Sequence, residues 1–134
     1  MSIQLSVAVR NARLDAIEST AGTTAILKIF DLSAAAPANC AAADVGGTLV
    51  TMTLPADWAA AASGGSKALS GTWQDASADA AGTADFFRLY ANDGTTCHLQ
   101  GSVGVGLDMT LDNYVIAASQ TVTITSFTLT DGNA

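Results

Sequence analysis

The chain has 134 residues, of which 49% are hydrophobic and 13% are charged, and its formal net charge is −7. That length accommodates a single domain with a buried core, and the charged fraction is about half of the usual share. The five basic residues are too few and too dispersed to follow a phosphate backbone, so we expect no nucleic-acid partner.

Residues 1–22 predict an N-terminal helix that acts as a docking or oligomerisation element. Apolar residues recur at helical spacing over residues 2–20 in two stripes, with Ser2 as the N-cap and Gly22 as the stop. Two stripes are more than one sheet face covers, so one of them is predicted to pack on a neighbouring subunit or a larger assembly. The alternative is a helix half-sunk into its own domain. The candidate interface residues are Leu5, Val9, Ala12, Leu14 and Ile17.

Residues 23–134 predict an antiparallel β-sandwich of about seven to eight strands, with a jelly roll as one variant. The period of the apolar residues changes to two, and short alternating runs are separated by turn residues. The pair Asp93-Gly94 indicates a tight hairpin between two of these runs. The predicted strands are residues 24–31, 48–54, 66–73, 86–91, 96–103, 107–112, 114–117 and 121–130.

Two longer segments are predicted to be loops, and the last strand is predicted to be irregular. Residues 32–47 contain a proline and a double glycine, and residues 74–85 have no large apolar side chain. The apolar face of the last strand changes parity near Ser126, which indicates a bulge or a change of sheet. The predicted core residues are Leu27, Ile29, Leu49, Met52, Leu54, Trp58, Leu69, Trp73, Phe87, Leu89, Leu99, Leu107, Met109, Val122, Ile124, Phe127 and Leu129.

The chemically reactive residues form no recognisable catalytic or metal-binding pattern. His98 is the only histidine, and adjacent Cys97 points to the other face of the same predicted strand, so the two do not pair as base and nucleophile. Asp75, Asp79 and Asp85 could collect a calcium ion, but their spacing matches no calcium-loop signature. We therefore predict a protein that is not an enzyme and that has no cofactor and no metal site.

The two cysteines, Cys40 and Cys97, are predicted to be free thiols, with pairing in the fold as the alternative. The first residues lack the basic and apolar regions of a signal peptide, which indicates folding in a reducing cytoplasm. No stretch approaches the ~20 apolar residues of a membrane span, so we expect no membrane partner.

Carbohydrate binding is the alternative function that the residue types support. Trp58, Trp73, Tyr90 and Tyr114 could present aromatic faces to a sugar, unless all four belong to the core. An exposed pair of aromatic side chains on one β face would favour sugar binding, whereas a dry apolar patch would favour assembly.

Three segments, taken together, resemble small structural proteins encoded by tailed bacteriophages and prophages. They are SIQLSVAVRNARLDAIESTAG (2–22), GTWQDASADAAGT (71–83) and TVTITSFTLTDGNA (121–134). The resemblance implies a virion protein made in the host cytoplasm, with a capsid decoration or cement protein favoured. Its partners would be other virion proteins, foremost the major capsid protein, and further copies of itself, with a trimer favoured. A tail- or baseplate-associated protein and a carbohydrate-binding module on a fibre are the alternatives.

Overall fold

The computed structural model describes all 134 residues as one α-helix packed on two antiparallel β-sheets. The helix α1 spans Val7–Ala21. The strands are β1 (Ile26–Asp31), β2 (Thr48–Thr53), β3 (Ser66–Ala68), β4 (Gln74–Asp75), β5 (Gly82–Tyr90), β6 (Cys97–Ser102), β7 (Met109–Leu111), β8 (Val115–Ile116) and β9 (Val122–Thr130). The prediction of a β-sandwich after a single helix is confirmed. The ninth strand is β4, which lies in a segment predicted to be a loop.

The strands divide between two sheets. The first sheet has the order β2-β1-β5-β6, and β8 pairs with the start of β5. The second sheet has the order β3-β9-β4, and β7 also pairs with β9. In the first sheet β1 pairs with the next strand β2 and β5 pairs with the next strand β6, while β1 also pairs with β5, which joins the two pairs. The hairpin predicted at Asp93-Gly94 is confirmed and joins β5 to β6.

The core lies between the inner faces of the two sheets. Phe87 of β5 meets Phe127 of β9 edge to face, with 5.5 Å between the ring centroids. Trp73 packs against Phe127 at 5.4 Å, and Trp58 packs edge-on against Trp73 at 5.9 Å. Such aromatic pairs bury large apolar areas and therefore supply much of the folding free energy in a chain whose apolar content is rich in alanine.

Most of the predicted core residues are buried, with exceptions at the rim. Leu69, Leu99 and Leu129 are partly exposed where they pack against the core. Leu107 is 53% exposed, so its assignment to the core was wrong. It precedes β7, which begins only at Met109, and therefore lies in a turn rather than on the inner face of a strand.

The bulge predicted in the last strand is confirmed. The pairing of β7 with β9 passes from Thr110 opposite Ser126 to Leu111 opposite Ile124, so that Thr125 is the extra residue. The Thr110 hydroxyl is hydrogen-bonded to the hydroxyls of both Thr125 and Ser126. One extra residue reverses the side-chain parity of a strand, which explains why its apolar face changes at this point.

The helix begins at Val7, and not near residue 2 as predicted. Ser6, rather than Ser2, is the N-cap, and its Oγ accepts a hydrogen bond from the Val9 amide at 3.3 Å. Residues 1–6 precede the helix without regular secondary structure, and the Leu5 amide donates to the Asn133 carbonyl at 2.6 Å. The predicted stop at Gly22 is confirmed, because this residue has a φ of +85° directly after the last helical residue.

Two turn aspartates are stabilised in their ionised form. The Ser33 hydroxyl and the Gly47 amide donate to Asp31 and lower the pKa of its carboxyl. The Thr96 hydroxyl and amide donate to Asp93 and lower its pKa further. The unfolded chain therefore binds more protons than the folded chain below the ordinary carboxyl pKa of ~3.9.

We expect the stability of the protein to decrease as the pH falls from 5 to 3. The contribution of Asp31 and Asp93 is complete above the unfolded-state pKa and is lost as the pH falls through their lowered folded-state pKa values. Melting temperatures measured across this range should show a shallower pH dependence for Asp93→Asn. The exposed Asp57 lies outside these turns, so Asp57→Asn should keep the wild-type slope, and equal slopes for all three proteins would contradict the assignment.

Candidate interaction surfaces

The single histidine does not lie among acidic side chains. His98 borders a shallow depression of about 220 Å³ whose other lining residues are Arg13, Ala16, Ile17 and Thr20. No carboxylate is part of this lining, so the site offers no acid–base pair. The depression is the crevice between α1 and β6.

The aspartates considered as a calcium site do not come together. The Asp75 carboxylate accepts the Ser77 amide at 3.0 Å, and the Asp79 carboxylate accepts the Thr51 hydroxyl at 2.8 Å. No group of three or more His, Cys, Asp or Glu side chains is close enough to hold a metal ion. These aspartates instead terminate turns and attach one turn to β2.

The aromatic residues considered for sugar binding lie mainly in the interior. Trp58, Trp73 and Tyr90 are buried, and Tyr114 packs partly buried against the core. The four phenylalanines are also buried. The carbohydrate alternative therefore has no exposed aromatic face on which a sugar ring could stack.

The exposed large apolar side chains form two groups. The first, which we call the N-terminal surface, consists of Met1, Ile3, Val7 and Val9. The second, which we call the distal surface, consists of Leu32, Val105, Leu107 and Val115.

The distal surface surrounds the start of β5. Val115 is paired with Thr83 of β5. Leu32 directly follows Asp31, which is paired with Ala84 of β5. Val105 and Leu107 belong to the turn that follows Val103. The Val103 amide donates to the carbonyl of Asp85 in β5 at 2.8 Å. The four residues of the distal surface thus come from three segments of the chain: the residues after β1, the turn between β6 and β7, and β8.

The predicted interface residues of the helix do not share one face. Leu14 is 3% exposed because it packs against its own domain, so its assignment to an intermolecular interface was wrong. Ile17 also packs partly against the core, which is the half-sunk helix considered as the alternative. Val9 and Ala12 are exposed and Leu5 is partly exposed, so these three remain candidates for an interface.

The helix packs on the sandwich largely through a polar stripe, which the sequence analysis did not identify. The Asn11 side chain accepts the Gly65 amide at 2.9 Å, and the Asp15 carboxylate accepts the Ala62 amide at 2.9 Å. One turn further on, the Glu18 carboxylate accepts the Ala59 amide at 3.4 Å. Since residues 11, 15 and 18 lie on one helical face, they satisfy unpaired amides of the segment before β3.

A buried lysine lies at the centre of this contact. Lys67 of β3 is 2% exposed, and its ammonium group lies 2.7 Å from carboxylate oxygens of both Asp15 and Glu18. Its third donor reaches the Ala60 carbonyl at 2.9 Å. Burial lowers the pKa of Lys67, but the hydrogen bonds that its ammonium group donates to the two carboxylates outweigh this effect, so the pKa is raised overall. All three donors are satisfied, which a buried ammonium group requires.

The start of the helix is connected to the C-terminal segment. Arg10 donates to the Asp131 carbonyl at 3.2 Å, and Arg13 forms a 3.1 Å ion pair with the Asp131 carboxylate. Gly65 has a φ of +79°, and a Cβ atom there would collide with the Arg10 guanidinium. The Arg10 guanidinium is the end of a flexible side chain and can move, so it is the positive φ that favours glycine at this position.

A second buried cation secures residues 32–47. Arg88 of β5 is 1% exposed, projects from the outer face of the first sheet and forms an ion pair with Asp44. Its guanidinium also donates to the carbonyls of Asn39 at 3.2 Å and Ala42 at 3.0 Å, and the Tyr90 hydroxyl donates to Asp44. Residues 32–47 thus cover a sheet face that the alternating pattern predicts to be exposed.

Comparisons with family models, with curated proteins and with solved structures found no match. The structure contains no helix that is long and apolar enough to cross a membrane.

Proposed function

We propose that this chain is a structural protein of a bacteriophage particle, that it is not an enzyme, and that it decorates the capsid by binding the major capsid protein. The sequence resemblance of its first, middle and last segments supports this class. The observation that carries the proposal is the exposure of apolar side chains at the N-terminal end: Ile3, before the helix, is 83% exposed, and Val9, on the side of the helix away from the polar stripe, is 46% exposed.

The way in which the helix is attached suits such a role. Because the polar stripe and Lys67 bind the inner face of α1, its outer face carries the apolar Val9 and Ala12 to the surface. A partner that binds this face does not have to order the helix, so less binding free energy is lost. The partner surface would be an apolar groove on a neighbouring virion protein.

The proposal includes self-association, with a trimer as the favoured state, and residence in the virion after synthesis in the host cytoplasm. A mass measurement in solution at several protein concentrations tests the oligomeric state. A homogeneous trimer supports the proposal, and a monomer at every concentration contradicts this part of it.

Deleting residues 2–5 is expected to abolish particle binding while the fold is retained. This deletion removes Ile3 and Leu5 but keeps Ser6 as the N-cap and leaves the polar stripe in place. Removing residues 1–20 instead would leave Lys67 buried without its carboxylates, so that loss of binding could follow from unfolding. Binding of the purified variant to particles that lack the protein should fall at least tenfold, while the melting temperature should decrease only by the small amount that the lost Leu5–Asn133 hydrogen bond contributes.

Single substitutions provide the matched comparison. Ile3→Asp changes the N-terminal surface, and Val105→Asp makes the same chemical change on the distal surface, where the side chain is 85% exposed. We expect only Ile3→Asp to weaken binding. Wild-type binding by both the deletion variant and Ile3→Asp would contradict the proposed surface.

Electron microscopy of particles carrying the bound protein tests the location. Density on the head shell supports capsid decoration, whereas density confined to the tail or baseplate supports the alternative within the same class. Specific binding on a glycan array, together with no density on either structure, would contradict the proposal and favour carbohydrate recognition.

A further inference from the structure

We propose that Cys40 and Cys97 form an oxidisable dithiol, and that closing it to a disulfide locks residues 32–47 onto the outer face of the first sheet. The inference concerns a covalent modification site and does not depend on the proposed function. It rests on how the fold brings together two thiols from distant parts of the chain.

The two sulfur atoms already meet in the structure. Cys40 lies in the middle of residues 32–47, and Cys97 is the first residue of β6. Both are free thiols, 57 residues apart in the chain, and their Sγ atoms are 2.9 Å apart. Both side chains are partly exposed, so a small oxidant in solution can reach them.

Contacts on both sides of Cys40 bring its sulfur to this position. Arg88 donates to the carbonyls of Asn39 and Ala42, which flank Cys40 in the sequence. Gln100 of β6 donates from Nε2 to the Pro37 carbonyl at 2.7 Å. These contacts attach residues 37–42 to β5 and to β6, the strand that begins with Cys97. Sulfur–sulfur bond formation therefore requires little movement of the backbone.

The proposed step is thiol–disulfide exchange with a small disulfide such as oxidised glutathione. The thiolate of one cysteine attacks a sulfur of the oxidant, a protein–glutathione disulfide forms, and the first reduced glutathione leaves. The second cysteine then attacks the protein sulfur of that mixed disulfide and releases the second reduced glutathione. Two thiol hydrogens and two electrons pass from the protein to one oxidant molecule, which is reduced to two thiols.

The disulfide would stabilise a part of the chain that has no regular secondary structure. Residues 32–47 contain no helix or strand, and they cover Phe30 and Phe86, whose stacked rings lie on the outer sheet face. A bridge spanning 57 residues removes many conformations from the unfolded chain. We expect the melting temperature to increase by about 10 °C on oxidation.

The reaction is expected to be slow at neutral pH and faster in alkaline solution. Burial, reinforced by Cys40, raises the pKa of the Cys97 thiol to about 11. Because the thiolate is the attacking species, the rate of ring closure should increase by up to tenfold per pH unit below that pKa.

The experiment treats the folded, purified chain with oxidised glutathione and follows free thiols, intact mass and melting temperature. We expect both thiols to disappear without any disulfide link between chains, the mass of each chain to fall by two hydrogen atoms, and the melting temperature to rise. Dithiothreitol should reverse all three changes. Cys40→Ser and Cys97→Ser should each fold, stop at a mixed disulfide with one glutathione, and show no rise in melting temperature.

Three results would overturn the inference. They are two glutathione adducts on the wild-type chain, disulfide-linked dimers in place of the intramolecular bridge, and an intramolecular bridge whose equilibrium with glutathione is the same in folded and urea-unfolded protein. The last comparison also covers the case in which a serine variant fails to fold, because it requires only the wild-type chain.

Discussion

Replacing Lys67 with methionine is expected to lower the free energy of unfolding by about 3 kcal/mol and to weaken the attachment of α1. The substitution removes an ammonium group that is 2% exposed and that satisfies two carboxylates and one carbonyl. Removing one partner of a buried ion pair typically costs about 3–5 kcal/mol. We expect the lower end of that range, because the Asp15 side chain is half-exposed and water can solvate it after the change.

Urea denaturation measures this loss, and hydrogen exchange of the helix amides locates it. The Trp58 indole donates to the Gly22 carbonyl at 3.0 Å directly after α1, so tryptophan fluorescence should also respond to detachment of the helix. Lys28→Met is the matched control. Lys28 donates to the Gly94 carbonyl and lies over the Tyr90 ring. We expect the loss of these contacts in Lys28→Met to lower the free energy of unfolding by about 1 kcal/mol.

A comparison within the same ion cluster separates charge from packing. Glu18→Gln keeps the size of the side chain but leaves the buried ammonium of Lys67 with one negative partner. The double variant with Glu18→Gln and Lys67→Met should lose less free energy of unfolding than the two single variants lose in sum, because the two residues share one interaction. Additive losses, or unchanged protection of the helix amides in Lys67→Met, would show that Lys67 does not anchor the helix.

Replacing Asp44 with alanine is expected to destabilise the reduced protein by about 3 kcal/mol and to release residues 32–47 from the first sheet. Asp44 is the acidic partner of the Arg88 guanidinium, which is 1% exposed, and it also accepts the Tyr90 hydroxyl. Its loss leaves a buried cation with two carbonyl partners only. A buried charge without its counter-ion is among the most destabilising changes in a protein.

Arg88→Met should be less destabilising than Asp44→Ala. The methionine removes the charge that needs a counter-ion, and the half-exposed Asp44 carboxylate can be solvated by water. Asp44→Asn is the control that keeps the size and the ability to accept a hydrogen bond but not the charge, and it should fall between wild type and Asp44→Ala. All proteins are compared with dithiothreitol present, so that a Cys40–Cys97 bridge does not contribute.

Limited proteolysis provides the second measurement for this set. Cleavage within residues 32–47 should be much faster in Asp44→Ala than in wild type, because an attached segment resists proteases. Equal cleavage, or a greater loss of stability in Arg88→Met than in Asp44→Ala, would mean that the ion pair does not hold this segment in place.

Several features of this protein could be predicted because they depend on neighbours in the sequence. A period of two indicated the strands, the pair Asp93-Gly94 indicated the hairpin, and Gly22 marked the end of the helix. The parity change near Ser126 indicated the bulge. Side-chain alternation and positive φ angles are properties of a few consecutive residues, so the sequence expresses them directly.

The start of the helix and the strand β4 show where local patterns were insufficient. The apolar pattern continues back to residue 2, but the Leu5 amide is bonded to the Asn133 carbonyl instead of taking part in the helix, and the helix begins where Ser6 caps it. Gln74–Asp75 lacks large apolar residues and nevertheless pairs with β9, since backbone hydrogen bonds do not require a particular side chain.

The sequence by itself determined the order of one helix and a series of short strands, their turns, and the aromatic side chains that fill the core. The tertiary structure alone decided which side of the helix faces inward and that the outer face of the first sheet is covered. The helix turns a polar stripe inward because Lys67, 52 residues away from Asp15, presents a buried charge there. Likewise, Arg88 is covered because residues 39–44, more than forty residues away, supply its acceptors. Burial of a charged group depends on where its partner lies in space, which the neighbouring residues do not specify.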